Sequence, residues 1–112
     1  MESRVKALIV AKPWISLILS GRKTWEMRKK PCNIRGKIGL IRRGTGHAVR
    51  VTEIVDCLAP VVSAAEYAKN EPLHRIPKSD QASTIATGWT RPWVLARTQA
   101  LKKPVPMQRL AP

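Results

Sequence analysis

The chain of 112 residues has no phenylalanine, two histidines, two cysteines and only seven acidic side chains. Each shortage excludes something. Without Phe, the four tryptophans (Trp14, Trp25, Trp89 and Trp93) must supply most of the large aromatic surface. A buried indole N–H needs a hydrogen-bond partner, so some of them are expected with one edge toward water. Cys32 and Cys57 stand apart, and no CxxC or His/Cys cluster offers four zinc ligands. No metal and no other cofactor is therefore expected, and the thiols read as reduced and partly buried. His47 and His74 have no partner at metal or triad spacing, which leaves them surface or hydrogen-bonding roles. Walker and Rossmann glycine patterns are absent, and Gly44-Thr45-Gly46 reads as a hairpin turn. No segment approaches the roughly 20 apolar residues of a membrane span. The start, Met1-Glu2-Ser3-Arg4, lacks a signal-peptide core. A membrane is not an expected partner, and the cytoplasm is the expected location.

What the chain has in excess is positive charge. Twenty-one Lys and Arg give a formal net charge of +14 and a pI near 11.0. Self-repulsion on that scale destabilises a compact fold unless a polyanion or salt relieves it. Residues 1–43 carry 12 basic and 2 acidic side chains, a net of +10, whereas residues 44–112 carry 9 and 5, a net of +4. The anion is expected on the first third. Apolar residues make up 44%, enough for a core, and the length fits one domain over residues 1–112.

The spacing of apolar residues predicts a mixed α+β fold. Val5–Val10 reads as a buried strand, and Pro13 opens a helix whose apolar face is Trp14, Ile15, Ile18 and Leu19. Gly21 suits its left-handed C-terminal cap. Thr24–Arg28, Lys37–Arg43 and His47–Cys57 read as strands, the last two as a hairpin. Ser63-Ala64-Ala65-Glu66 has the capping-box pattern and predicts a helix from Ala64 to Asn70. Residues 71–88, with Pro72, Pro77 and a polar run, read as irregular, and Trp93–Ala96 as a strand.

The segment Gly21-Arg22-Lys23-Thr24-Trp25-Glu26-Met27-Arg28, after the helix beginning Lys12-Pro13-Trp14, closely resembles the G-x-K-x-x-E-x-R signature of ASCH domains. Arg35-Gly36-Lys37-Ile38-Gly39, Val51–Cys57, Trp93-Val94-Leu95 and Pro104-Val105-Pro106 follow in family order. The resemblance implies a single ASCH domain, a small PUA-like β-barrel with one or two short helices. Relatives usually have a further strand after the Pro-x-Pro segment, so here the last strand is absent or replaced. An unpaired edge left in that way implies a homodimer through strand addition.

On a strand, Thr24, Glu26 and Arg28 share one face and Trp25 and Met27 the other. From spacing alone, Glu26 and Arg28 are an ion pair on a solvated strand, worth little. The resemblance implies instead that Lys23, Glu26 and Arg28 line a cleft walled by Trp14. It also implies two hydrolytic activities, with Lys23 and Glu26 as catalytic residues and Thr24 and Arg28 nearby. Some small bacterial relatives look like amidohydrolases of acetylated cytidine. Glu26 stands where they place a threonine, so the hydroxyl nucleophile is missing there, which counts against that activity. Other members are suspected ribonucleases, for which Glu26 as base and Lys23 or Arg28 as phosphate cation supply the needed groups.

Arg22, Lys23, Arg28, Lys29, Lys30, Arg35, Lys37, Arg42 and Arg43 lie between positions 22 and 43 with Glu26 as the only acid. A solvated face explains solubility but not the near absence of the opposite sign. Together with Trp14 these residues are the expected nucleic-acid-binding surface, for single-stranded RNA if a Trp is exposed for stacking. An acidic protein partner is the remaining alternative for the same charge.

Overall fold

Alternation along the first strand organises everything that follows. The computed structural model describes residues 5–44, 48–100 and 107–109. In chain order its elements are β1 (Val5–Val10), α1 (Trp14–Leu19), β2 (Trp25–Arg28), β3 (Gly36–Arg42), β4 (Ala48–Cys57), α2 (Ala64–Lys69), α3 (Glu71–His74), α4 (Lys78–Ala86), β5 (Arg91–Ala100) and β6 (Met107–Arg109). In β1, Leu8 and Val10 enter the main core while Ala7 and Ile9 meet Ile41 on the other side. Successive residues of a strand face opposite ways, so a strand covered on both sides reads as a continuous apolar run.

β1 lies parallel to β3, with Leu8 beside Leu40 and Val10 beside Arg42. β3 pairs antiparallel with β4, β4 with β5, and β5 with β2. The six strands form one sheet in the order β2-β5-β4-β3-β1-β6. The sheet curls, and Leu8, Val10, Ile38, Leu40, Ile54, Trp93 and Leu95 meet in one cluster joined by Ile15 and Ile18 of α1. Trp93 is buried and donates its indole N–H to the Lys30 carbonyl at 2.9 Å, the partner that a buried indole requires. A second cluster of Met27, Tyr67 and Ile76 lies under Trp14, Trp25 and Trp89, which remain partly exposed.

The expected helix starts and stops are largely present. Gly21 has φ of +80°, a left-handed conformation that glycine adopts without penalty. The Ser63 hydroxyl accepts from the Glu66 N–H at 3.1 Å and caps α2.

Three features differ from expectation. Residues 71–88 are not irregular but contain α3 and α4, so the described residues hold four helices where one or two were expected. Pro72 stands in the first turn of α3 and Pro77 is the N-cap of α4. A proline at a helix start gives up no bond, so residues that read as breakers are initiators here. The polar run of α4 is mostly its exposed side, with Gln81 buried. A strand does follow position 106, against the expectation that it is absent or replaced: β6 pairs parallel with Val5–Ala7 of β1. That pairing occupies part of the edge expected to be open for a second chain. The hairpin turn at 45–47, with His47, and the Pro104-Val105-Pro106 segment lie outside the described residues.

Leu40 is 1% exposed at the centre of the main cluster, and Val62 is 64% exposed. Leu40→Ala is expected to cost about 2–5 kcal/mol in urea unfolding. Val62→Ala should change stability by no more than about 0.5 kcal/mol.

Candidate functional site

The signature segment enters the fold through backbone bonds that leave little freedom. After Gly21 turns the chain, the N–H groups of Arg22 and Lys23 both donate to the Leu17 carbonyl, at 3.0 and 3.1 Å. This tucks Lys23 beneath α1. The Thr24 N–H donates to the Leu73 carbonyl at 3.1 Å, and the Thr24 carbonyl accepts from Leu95 N–H at 2.7 Å. β2 is thereby pinned between α3 and β5, with Glu26 opposite Trp93.

Both faces of β2 are buried. Lys23, Glu26 and Arg28 are only 3%, 7% and 6% exposed, against the expectation of a solvated polar face. Glu26 lies between the two cations. Its Oε2 accepts from Arg28 Nε at 3.0 Å and faces an Arg28 terminal nitrogen at 2.9 Å, and its Oε1 lies 3.7 Å from Lys23 Nζ. Arg28 also donates to the Ile9 carbonyl of β1 at 2.8 Å. Lys23 donates to the His74 carbonyl and sits 5.1 Å from the centre of the Trp14 ring. Five segments (β1, α1, β2, β5 and α3) therefore meet at one carboxylate and its two cations.

Burial pulls the Lys23 ammonium from its ordinary 10.5 down to about 8; Glu26 opposes the shift and Arg28 adds to it. An amine at that value is protonated over much of the neutral range yet able to release its proton. Below it stand Tyr67 and His74, with ring centres 4.6 Å apart. The Tyr67 hydroxyl donates to the Trp89 carbonyl at 2.8 Å. Burial, then the Glu26 charge, push that phenol above its usual range. His74 Nδ1 accepts from the Ile76 N–H at 2.9 Å, so the ring proton of the neutral form is on Nε2, 2.7 Å from the Tyr67 carbonyl. Burial holds the His74 pKa below 6.5, with the Tyr67 carbonyl opposing and Lys23 assisting. This histidine has a hydrogen-bonding role, as expected, but on a helix and deep inside.

The remaining cations divide into two groups. Arg35 and Lys37 flank the start of β3 beside acidic side chains: Arg35 lies 3.6 Å from Asp56, and Lys37 is paired in register with Glu53, itself bonded to Arg97 at 2.8 Å. At the other end of β3, Arg42 is level with Val10, and the Arg43 N–H donates to the Val10 carbonyl at 3.0 Å. Lys12 follows Val10 by two residues along the chain; Lys12, Arg42 and Arg43 are all exposed, and Trp14 is half-buried. Lys12 went unnoticed in the sequence, where its one signal is its position just before Pro13-Trp14. Arg22, Lys29 and Lys30 are exposed as well, with Lys29 Nζ 5.0 Å from the Trp89 ring centre. Lys23 and Arg28, expected both at the cleft and on the basic surface, are in the buried cluster alone. Among the described residues no group of three or more His, Cys, Asp or Glu could hold a metal, and no helix is long and apolar enough to cross a membrane.

A small α+β domain with a curled mixed sheet and a buried Lys–Glu–Arg cluster at its first helix is the class that these observations define. The profile of the ASCH domain family matches residues 8–105, and the chain belongs to that family. In three dimensions it is similar to the crystal structure of ASCH from Zymomonas mobilis, with a TM-score of 0.67 over 89% of this chain and 71% of that one. The two sequences are 14% identical, so the likeness is one of fold, the PUA-like ASCH fold. None of the curated proteins compared with the chain matches it.

Two outcomes test the cluster as a structural unit. Glu26→Gln leaves two buried cations without their counter-charge and is expected to lower stability by about 3–5 kcal/mol in urea unfolding. Lys37→Gln, on the exposed side of β3, should change it by less than about 0.5 kcal/mol. For His74, the unfolded chain takes up a proton near pH 6.5 that the folded ring resists. Stability should therefore fall as pH drops through 6.5 and below, and unfolding at pH 7.5 and 5.5 should show a smaller difference in His74→Gln than in the wild type.

Proposed function

We propose that this ASCH domain binds RNA, chiefly through phosphate contacts around the C-terminal end of β1. The observation that carries the reading is that Arg42 and Arg43 lie beside Val10 at the end of β1, two residues before Lys12 along the chain, in a chain with a net charge of +14. Lys29, Lys30 and Arg22 extend the exposed positive surface. Arg35 and Lys37 contribute less, because Asp56 and Glu53 stand beside them. Trp14, two residues after Lys12, is partly exposed, and an unpaired base stacked on an aromatic face adds about 1–3 kcal/mol.

The test is salt. On single-stranded RNA, log affinity should fall linearly with log salt, with a slope of about −0.7 for each phosphate neutralised. Replacing Arg42 and Arg43 by Ala should make that slope shallower by about 1 to 1.5, and replacing Lys37 by Ala should change it less. Tight binding that ignores salt would overturn the reading. Equal affinity for RNA and an acidic protein, with no preference for bases over heparin, would assign the surface to protein partners instead.

A second reading, hydrolysis at the Lys23–Glu26 cluster, is favoured by one observation: the Lys23 amine sits near its proton-release point beside a carboxylate. Such a pair can serve as acid and base in cleavage of RNA or of an acylated nucleoside such as acetylcytidine. Turnover of either substrate should then drop at least about a hundredfold in Glu26→Gln, assayed where circular dichroism shows the variant folded, with RNA affinity retained. Unchanged turnover assigns any activity elsewhere.

A further inference from the structure

The two cysteines are the only ones in the chain, and the fold brings them together across 25 positions. Cys32 lies in the loop between β2 and β3, and Cys57 is the last residue of β4. The Cys32 N–H donates to the Cys57 sulfur at 3.2 Å. That sulfur is therefore within about 4.7 Å of the Cys32 Cα, the sum of this contact and one N–Cα bond. A sulfur this close to the Cys32 backbone lies within the span that a disulfide between the two residues covers. Both are free thiols; Cys32 is 7% exposed, and Cys57 is more open to solvent.

The surroundings hold this geometry from several directions. Arg35 donates to the Cys32 and Ile34 carbonyls, each at 2.9 Å, and also reaches Asp56, the neighbour of Cys57. Two residues before Cys32, the Lys30 carbonyl accepts the Trp93 indole N–H, and Trp93 is in register with Cys57. Loop and strand end are thus already fastened by three sets of polar contacts, so the thiols meet in the folded protein at high effective concentration.

We propose that Cys32 and Cys57 form a thiol-modification site that reacts with small-molecule disulfides and closes into a reversible intramolecular disulfide. The more exposed Cys57 thiolate attacks one sulfur of the reagent, breaking its S–S bond, releasing one thiol and leaving a mixed disulfide on Cys57. The Cys32 thiolate then attacks the Cys57 sulfur and releases the second thiol. The protein loses two electrons and two protons, the reagent takes them up as two thiols, and excess reductant reverses both steps. The product ties the β2–β3 loop covalently to the end of β4. This site is independent of the RNA reading and stands or falls without it.

The experiment treats the folded full chain with glutathione disulfide and follows intact mass, then maps the peptides. The expected result is a loss of about 2 Da, a single linked Cys32–Cys57 peptide, no disulfide-linked dimer on a non-reducing gel, and recovery of both thiols with dithiothreitol. The melting temperature of the oxidised form should exceed that of the reduced form by at least about 5 °C, because cross-linking restricts the unfolded chain. Cys32→Ser should stop at the glutathione adduct on Cys57, since the resolving thiol is gone. Cys57→Ser should react much more slowly than the wild type. Adducts on both cysteines without closure, or linkage seen only in denaturant, would overturn the proposal. Intermolecular dimers as the main product would do the same.

Discussion

A carboxylate clamped between two cations closes the part of this fold that hydrogen-bonded ladders leave open. β2 is an edge strand paired only with β5, and β1 stands near the other end of the strand order. Arg28 spans from Glu26 to the Ile9 carbonyl, while Lys23 spans from Glu26 to the His74 carbonyl under Trp14. Remove the shared carboxylate and each cation loses its counter-charge in a dry setting, where the penalty is several kcal/mol. The cluster is costly to assemble, since an apolar trio of similar volume often does as well energetically. What it adds is specificity of position: an ion with two partners on different elements leaves few alternative registers for β2.

The same cluster fixes the chemistry available at the start of α1. Lys23 is neither a surface phosphate ligand nor an inert core residue. Desolvation takes its proton affinity down to about 8, and Glu26 limits the fall. The Lys23 ammonium sits 5.1 Å from the centre of the Trp14 ring, and Trp14 is itself partly exposed. The proposed binding surface and the buried Lys23–Glu26 pair are made of different residues, which is why affinity and turnover are expected to respond to different substitutions.

Charge acts at two ranges here. Over the whole chain the excess of +14 opposes compaction and attracts polyanions from a distance. At short range its effect depends on neighbours. Asp56 and Glu53 temper Arg35 and Lys37 at one end of β3, while Lys12, Arg42 and Arg43 cluster at the other.

Much was legible in the residues alone. The strand at Val5–Val10, the cap at Gly21, the capping box at Ser63 and the family signature around Lys23 are local patterns, written in neighbouring positions. Local patterns survive translation from one dimension because backbone preferences and side-chain periodicity act over a few residues. The helices at 71–74 and 78–86 were not legible, since Pro72 and Pro77 look the same whether they stop a helix or start one. The burial of Glu26 and Arg28 was also hidden. A strand with charged and apolar residues alternating has one wet face by default, and only packing of α1, α3 and β1 against β2 removes the water. The meeting of Cys32 with Cys57, and of Arg42 and Arg43 with Val10, likewise comes from how the strands pack, which sequence separation does not encode. The sequence by itself determined the fold class, the family and the sign of the charge. The tertiary structure decided which charges are dry and which are wet, because desolvation depends on everything that surrounds a group and not on its neighbours along the chain.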